Sequence, residues 1–319
     1  MNNTNELHVV FGSGALGLAV MRELVQQGKR VRLVNRSGKA AAIEGVEVVK
    51  GDVSDPVSAR QVCKGASVVY NCASPAYIYK EWATKWPPII NGTIEGAAAA
   101  GAKLIFGDNV YMYGDTNGQP ITEDLPHTAR TRKGQLRAAF HDTYMQAHRE
   151  GKVQVAIGRA SDFYGPAALN SVLGERAVYP ALAGKKAAAL GNIDLPHTYT
   201  YIDDFGKGLV TLGSHDEAMG QVWHVPNAPA ISTRALFDLM FAELGQKPAI
   251  SIMGKTTLRL AGLFIPPAGE LIEMLYEYEK PFVVDSSKFE QAFGTKATPY
   301  SEGVKHTVEW FKSHPQVKK

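Results

Sequence analysis

The sequence predicts an α/β protein: a doubly wound parallel sheet covered by helices, followed by a smaller C-terminal lobe. Three observations predict it. Short, predominantly apolar runs recur through the first half of the 319-residue chain. Stretches of helical pattern separate them. A glycine-rich turn joins the first run to the first helix. A strand without a polar face is covered on both sides, and in alternation with helices this means a parallel sheet.

The elements follow in order. Leu7–Phe11 reads as a strand, Ala15–Gln27 as a helix, and Val31–Val34, Val46–Val49 and Ser67–Tyr70 as further strands. Ile89–Ala100 is alanine-rich and helical, and stops at Gly101, a natural C-cap. Lys103–Phe106 is a strand, Thr131–Glu150 has helical composition without proline, and Val153–Ile157 closes the series as a strand. Right-handed crossovers leave the doubly wound topology as the leading one. After Gly165-Pro166 the elements shorten and prolines multiply, at 180, 196, 226, 229, 266 and 267. The predicted division is therefore a dinucleotide-binding domain over 1–165 and a smaller substrate lobe over 166–319. Residues 200–225 are expected to return to the first domain, because Asp203-Asp204 can open another helix.

Composition narrows the function classes. The formal charge is +3, and lysines and arginines are scattered, so no nucleic-acid surface is indicated. Cys63 and Cys72 suggest neither a disulfide framework nor a metal site, and read as reduced thiols of a cytoplasmic protein. The opening MNNTNELHVVF has no basic segment followed by a long apolar one, which predicts no secretory signal. The most membrane-like stretch, Leu258 to Leu275, is broken by Arg259, two prolines and Glu270.

Gly12-Ser13-Gly14-Ala15-Leu16-Gly17 is a G-x-G-x-x-G that directly follows a strand and opens a helix. In that context each glycine has its own role. Gly12 permits the turn, Gly14 lets backbone approach a pyrophosphate, and Gly17 lets helix and strand pack closely. The phosphates would sit on the helix N-terminus, where free N–H groups and the helix dipole favour anions. This is the Rossmann dinucleotide site. An acidic residue at the end of the second strand would hold the ribose 2′-hydroxyl and repel a 2′-phosphate. Asn35-Arg36-Ser37 stands there instead, with a guanidinium fork suited to a phosphate and two neutral side chains to assist. The expected cofactor is NADP(H).

Further motifs follow each strand. Gly51-Asp52-Val53 follows the third, Asn71-Cys72-Ala73-Ser74-Pro75 the fourth, and Tyr113-Gly114-Asp115 the fifth. Gly158-Arg159-Ala160-Ser161-Asp162-Phe163-Tyr164-Gly165-Pro166 follows the sixth, and Tyr199-Thr200-Tyr201-Ile202-Asp203-Asp204 comes later. In order and spacing the chain resembles an extended short-chain dehydrogenase/reductase of the epimerase/dehydratase type, nearly end to end. The resemblance implies that Asp52 and Val53 lie against the adenine and that Cys72, Ala73 and Ser74 line the cofactor. It also implies a homodimer built on the helices around Ile89–Ala100 and Arg132–Arg149. The family works with a Ser after strand five and a Tyr-x-x-x-Lys on the next helix. Here Asn109 falls at the serine position, Lys133 at the tyrosine and Arg137 at the lysine. Tyr144 is the alternative tyrosine nearby, but lies too close to Arg159. The chain therefore resembles an atypical subgroup.

Those replacements suggest what chemistry remains. The Asn109 amide can donate to a carbonyl oxygen as a serine would. Lys133 alone is a poor proton donor, with a reference pKa of about 10.4, but Arg137 one helical turn away would push it down. The alternative is that Lys133 and Arg137 hold phosphate and ribose oxygens. Tyr111 would share a face with Asn109 if that segment is extended, and would supply the missing hydroxyl; it is otherwise an aromatic wall, and Tyr113 is structural. Asp162 replaces a family Asn that touches substrate, and either binds a hydroxyl or an amine or caps a turn. Tyr77, Tyr79, Trp82 and Trp86 either roof an apolar substrate or pack between the lobes. His141 and His148 read as surface or interface residues, with no metal expected. Three readings remain open: an NADP(H)-dependent oxidoreductase acting on a carbonyl or alcohol of a small molecule; a non-catalytic NADP(H)-binding redox sensor; and a sugar-nucleotide epimerase or dehydratase.

Overall fold

The computed structural model describes residues 6–40, 43–264 and 266–316. Residues 1–5 of the N-terminal segment read for a leader lie outside them. In chain order the first half contains β1 (Leu7–Phe11), α1 (Ala15–Gln26), β2 (Arg30–Asn35), β3 (Val46–Lys50), α2 (Pro56–Cys63), β4 (Ala66–Asn71), α3 (Tyr79–Ala100), β5 (Lys103–Asp108), α4 (Arg132–Arg149) and β6 (Val155–Arg159). The second half contains β7 (Asp162–Tyr164), α5 (Val178–Leu182), β8 (Ala187–Leu190), β9 (Pro196–His197), β10 (Tyr199–Tyr201), α6 (Ile202–Ser214), β11 (Val222–His224), β12 (Ile231–Ser232), α7 (Thr233–Glu243) and β13 (Ile250–Met253). Four helices finish the described chain: α8 (Lys255–Gly262), α9 (Pro266–Glu270), α10 (Ser287–Phe293) and α11 (Tyr300–Ser313).

Seven strands form one parallel sheet in the order β11-β6-β5-β4-β1-β2-β3. The winding direction reverses between β1 and β4. A doubly wound sheet opens its crevice at that switch point, beyond the carboxyl ends of the strands. β1, the central part of β4 and all of β6 are buried on both faces, the polar His8 and Arg159 included. One apolar cluster fills the α2/α3/α4 side of the sheet and a second the α1/α6 side. Residues 200–225 supply α6, packed on α1, and β11, hydrogen-bonded to β6. A separate cluster around Phe237, Phe241, Val304 and Phe311 forms the core of the C-terminal part.

Two helices depart from the sequence reading. α2 is absent from it, although its start signal is explicit: Asp55 caps it, accepting from Val57 N at 3.0 Å, and Pro56 occupies the first turn. α3 begins at Tyr79, ten residues before Ile89, and contains Pro87 and Pro88. Prolines leave the carbonyls one turn back without partners. Here those carbonyls belong to Ala83 and Thr84, on the less buried side, while Trp82, Trp86, Ile89 and Ile90 anchor the helix on both sides of the interruption.

Candidate active site

The turn from β1 to α1 has the geometry that its glycines imply. Gly12 has φ +100°, and a Cβ at Gly17 would meet the Gly12 carbonyl oxygen at 1.9 Å. Space is open where a Cβ of Gly14 would project. Gly14 caps α1 without a side-chain hydrogen bond, so the N–H groups of the first turn at Ala15, Leu16 and Gly17 have no side-chain cap. Ser13 Oγ accepts from the Asn35 amide at 3.2 Å, tying the turn to the end of β2. This cradle fits a pyrophosphate.

At the end of β2, Asn35 is an organiser. Its Oδ1 accepts from Ser37 Oγ at 2.9 Å and Gly38 N at 2.7 Å, and its amide also donates to Lys39 O at 3.0 Å. The expectation that Asn35 and Ser37 both offer free hydrogen bonds to a ligand is therefore corrected, since their side chains are spent on shaping the 35–39 turn. Arg36 stands exposed beyond it. Hydrogen bonds from the Ser54 hydroxyl and N–H, assisted by the charge of Arg36, hold Asp52 below the usual carboxylate range. Val53 is buried beneath. After β4, the Cys72–Ala73 backbone lies against Gly12, and Ser74 is exposed and bonded to Pro75 O. Burial pushes the Cys72 thiol up, so it lines the crevice without nucleophilic character.

The region expected to carry catalysis is arranged differently from its sequence reading. Tyr111–Tyr113 is a helical turn, not an extended segment. The Asn109 side-chain oxygen caps that turn, accepting from Tyr111 N at 3.1 Å. The shared face predicted for Asn109 and Tyr111 is thus replaced by a cap. The Tyr111 hydroxyl pairs with that of Tyr77 at 3.3 Å. Tyr144 is eliminated as a site residue: its buried hydroxyl bonds to Asn71 at 2.8 Å and Thr93 at 2.9 Å inside the core.

Lys133 is fully buried. Its ammonium donates to the Glu270 side chain, to Glu270 O at 3.2 Å and to Glu273 Oε1 at 2.7 Å, and lies 4.8 Å from the Tyr77 ring centre. The same two carboxylates accept from Tyr79 N and Arg132 N, each at 3.1 Å, at the starts of α3 and α4. The Glu270–Glu273 segment therefore latches the C-terminal part onto two helix N-termini, where carboxylates are favoured. Arg137 donates to Asp108 at 2.9 Å, with its guanidinium 4.4 Å from the Trp82 ring centre and 4.6 Å from that of Trp86. Lys133 and Arg137 pair with different carboxylates, Glu270 and Glu273 for the first and Asp108 for the second. Trp82 and Trp86 are fixed by packing, with Arg137 against them.

Asp162, at the start of β7, accepts from the Tyr278 hydroxyl at 2.6 Å and from His197 Nε2 at 3.0 Å. Beneath the site, Arg159 donates to the Tyr113 hydroxyl at 2.6 Å, and that hydroxyl meets His224 Nε2 at 2.9 Å. His224 Nδ1 faces Asp285 O at 2.9 Å. The chain is satisfied with a neutral imidazole protonated on Nδ1, and burial lowers the His224 pKa to about 3.

His127, His141 and Asp142 place one ligand-type atom each within 4.8 Å of the others. Arg159 Nη2 lies 3.2 Å from both His127 Nε2 and His141 Nδ1, occupying the lone pair of each. The outer ring nitrogens then carry hydrogen, which suits the neighbouring carboxylate and not a metal ion. His141, read from the sequence as a surface or interface residue, is half-buried by this contact. His148 likewise turns inward, accepting from Val155 N at 3.2 Å.

The NAD dependent epimerase/dehydratase family model matches residues 9–225. The chain belongs to that family. An uncharacterized protein, y4nG of Sinorhizobium fredii, is 21% identical over 96% of this chain and 78% of its own length. Among solved structures, UDP-glucuronic acid 4-epimerase from Bacillus cereus, in complex with NAD, superposes with a TM-score of 0.78 at 16% identity, over 97% of this chain and 99% of that one. DesIV, a dTDP-glucose 4,6-dehydratase from Streptomyces venezuelae with NAD bound, gives a TM-score of 0.77 at 17% identity, over 96% and 97%. These likenesses show the shared fold, as the order of motifs implied.

Within this family fold, sequence reasoning missed Asp108, Glu270, Glu273 and Glu277. Asp108 carried a signal, as an acid ending an apolar strand. The three glutamates lie on α9 and on the following 3-10 turn, Ile272–Tyr278, whose residues show no periodicity that aims them at α4.

Proposed function

We propose that the protein is an NADP(H)-dependent oxidoreductase that interconverts a carbonyl and an alcohol on a small molecule. The observation that carries this reading is the end of β2. An exposed Arg36 stands on a turn organised by Asn35, no acid occupies the position, and the uncapped start of α1 lies beside it. Bound there, the dinucleotide supplies or accepts a hydride. The residues of the chain do the rest. Gly14 and the first N–H groups of α1 receive the pyrophosphate, Arg36 receives the 2′-phosphate, and the Cys72–Ala73 strand end forms the floor of the crevice. In this reading Asp162 orients a substrate hydroxyl and Tyr77 lines the substrate side.

Membership of a family of enzymes supports catalysis. Lys133 in place of the family tyrosine disfavours sugar-nucleotide epimerase or dehydratase chemistry, in which that tyrosine acts as base. One observation favours a second reading, a binding protein that senses NADP(H): Lys133 and Arg137 are both sealed in ion pairs. NADPH absorbance with a panel of aldehydes, ketones and enones separates the two. Oxidation above background with at least one carbonyl is expected. Cofactor binding with no oxidation across the panel would leave the sensor.

A further inference from the structure

The segment Ala268–Tyr278, the end of α9 and the 3-10 turn after it, engages two positions that the family resemblance assigns to reaction and to substrate contact. At one end Glu270 and Glu273 hold the fully buried Lys133, which stands where the family has its tyrosine. At the other end the Tyr278 hydroxyl donates to Asp162 Oδ2 at 2.6 Å, at the position of the family Asn. His197 Nε2 lies 3.0 Å from the same oxygen, and the Tyr278 and His197 rings stack with centres 4.9 Å apart. Asn192 N donates to Tyr278 O at 2.8 Å. One stretch of the chain thus occupies both ends of the substrate side.

Three features make this stretch separable from the rest of the fold. It has a small core of its own, in which Ala268 and Leu275 pack with Leu258 of α8, apart from the clusters of the sheet and of the C-terminal part. Its inward face is incompletely satisfied: the Tyr276 hydroxyl and Glu277 Oε1 are buried without a well-formed hydrogen bond among the described residues. Each such group gives up solvation without a replacement, which weakens the closed arrangement. Its last seven residues, Ile272–Tyr278, are a 3-10 run, longer than such runs usually extend and poorer in hydrogen-bond geometry than an α-helix. Against these stand the ion pairs to Lys133 and the hydrogen bonds that the same two glutamates accept from Tyr79 N and Arg132 N. Packing at the far end adds the ring of Tyr276, set against the cluster around Val110 and Phe282.

We propose that Ala268–Tyr278 is a gate over the substrate side, that Lys133 is its latch, and that Asp162 meets a substrate only when the gate lifts. The inference rests on the oxidoreductase reading above and deepens it, since it concerns access to the same site. Lys133 is then a positioning residue: its ammonium sets the fraction of molecules that is closed and moves no proton. Lifting the segment takes the Tyr278 hydroxyl off Asp162, and a hydroxyl of the substrate replaces it. The substrate therefore binds in competition with closure, and its apparent affinity is reduced by the fraction of molecules that is open. Lids of this kind commit a bound substrate when they close again.

The test joins hydrogen exchange and kinetics on the full chain. In wild type the amides of 268–278 are expected to exchange faster than those of β5 and β6, through local opening. Glu273→Gln keeps the shape of the side chain and removes one of the two carboxylates on Lys133. It is expected to speed exchange over 268–278 about tenfold while leaving β5 and β6 unchanged, because the open fraction rises by that factor. With a carbonyl from the panel that wild type reduces slowly enough for KM to report binding, the same variant is expected to lower KM by the same factor at unchanged kcat. Tyr278→Phe keeps the ring, removes the hydroxyl from Asp162, and is expected to lower KM in the same direction. A purely structural pair would instead raise KM or lower kcat when broken. Exchange over 268–278 no faster than in the sheet, exchange unchanged in Glu273→Gln, or a KM that does not fall overturns the proposal while leaving the oxidoreductase reading intact. Absence of wild-type turnover across the panel removes that reading, and the proposal with it.

Discussion

Arg137 shows how one position can be located by counting and still be misread. Spacing fixes its place on α4, and its cationic character suggests phosphate or ribose contacts. The structure gives it Asp108 and two indole rings, because a guanidinium in a dry interior is stable only with its charge paired and its faces covered. Asp108 is itself shared, lying 3.6 Å from the Arg159 Nε. Replacing Arg137 by methionine keeps most of the stem and leaves a buried carboxylate with weakened pairing. The expected loss of stability is about 3 kcal/mol, toward the low end for breaking a buried pair. Urea denaturation checks it, and the Arg137→Met, Asp108→Asn double variant is expected to recover part of the loss. Equal stability of Arg137→Met and wild type would mean that Asp108 is satisfied by Arg159 alone.

At the scale of elements, the sheet was legible and the site was only half so. Apolar runs such as Val9-Val10-Phe11 and Leu104-Ile105-Phe106 name their strands because both faces are buried, and the glycine turn names its helix. The cofactor side of the site is local in sequence, so the Gly12 to Gly17 turn and the exposed Arg36 could be located directly, whereas the use of Asn35 and Ser37 within their own turn could not. The substrate side is not. The partners of Lys133 lie 137 and 140 residues away, on α9 and the 3-10 turn that follows it, and no periodicity points them at α4. The Tyr111 segment departs from its reading for a related reason. A side-chain cap from Asn109 turns the chain helical immediately after the strand, a choice that Asn makes through its own carbonyl. The start of α3 is hidden because two prolines usually end a helix, whereas Trp82 and Trp86 hold the first turns in place by packing.

Across the whole molecule, buried titratable groups tie stability to pH. Burial lowers His8 to about 4 and His224 to about 3, against an ordinary value of 6.5. In the unfolded chain both bind protons near their ordinary value. Their contribution is therefore present above about pH 6.5 and is lost as pH falls toward the folded values. Stability is expected to decline from about pH 6 downward, with the two histidines together contributing a few kcal/mol of the loss, an order-of-magnitude figure. Thermal melts of wild type and His224→Gln from neutral to acid pH check it. The gap between the two is expected to narrow on acidification, and a constant gap would show that His224 is not neutral in the fold.

The central claim is that the end of β2 selects NADP(H). Its most direct test is a fluorescence titration of wild type and Arg36→Ala with NADPH and NADH. A charge-assisted contact between a guanidinium such as that of Arg36 and a 2′-phosphate would be worth about 1.5–3 kcal/mol. The account predicts that wild type prefers NADPH and that Arg36→Ala weakens NADPH roughly ten- to a hundredfold while leaving NADH nearly unchanged. Equal weakening of the two cofactors, or a wild-type preference for NADH, would contradict it.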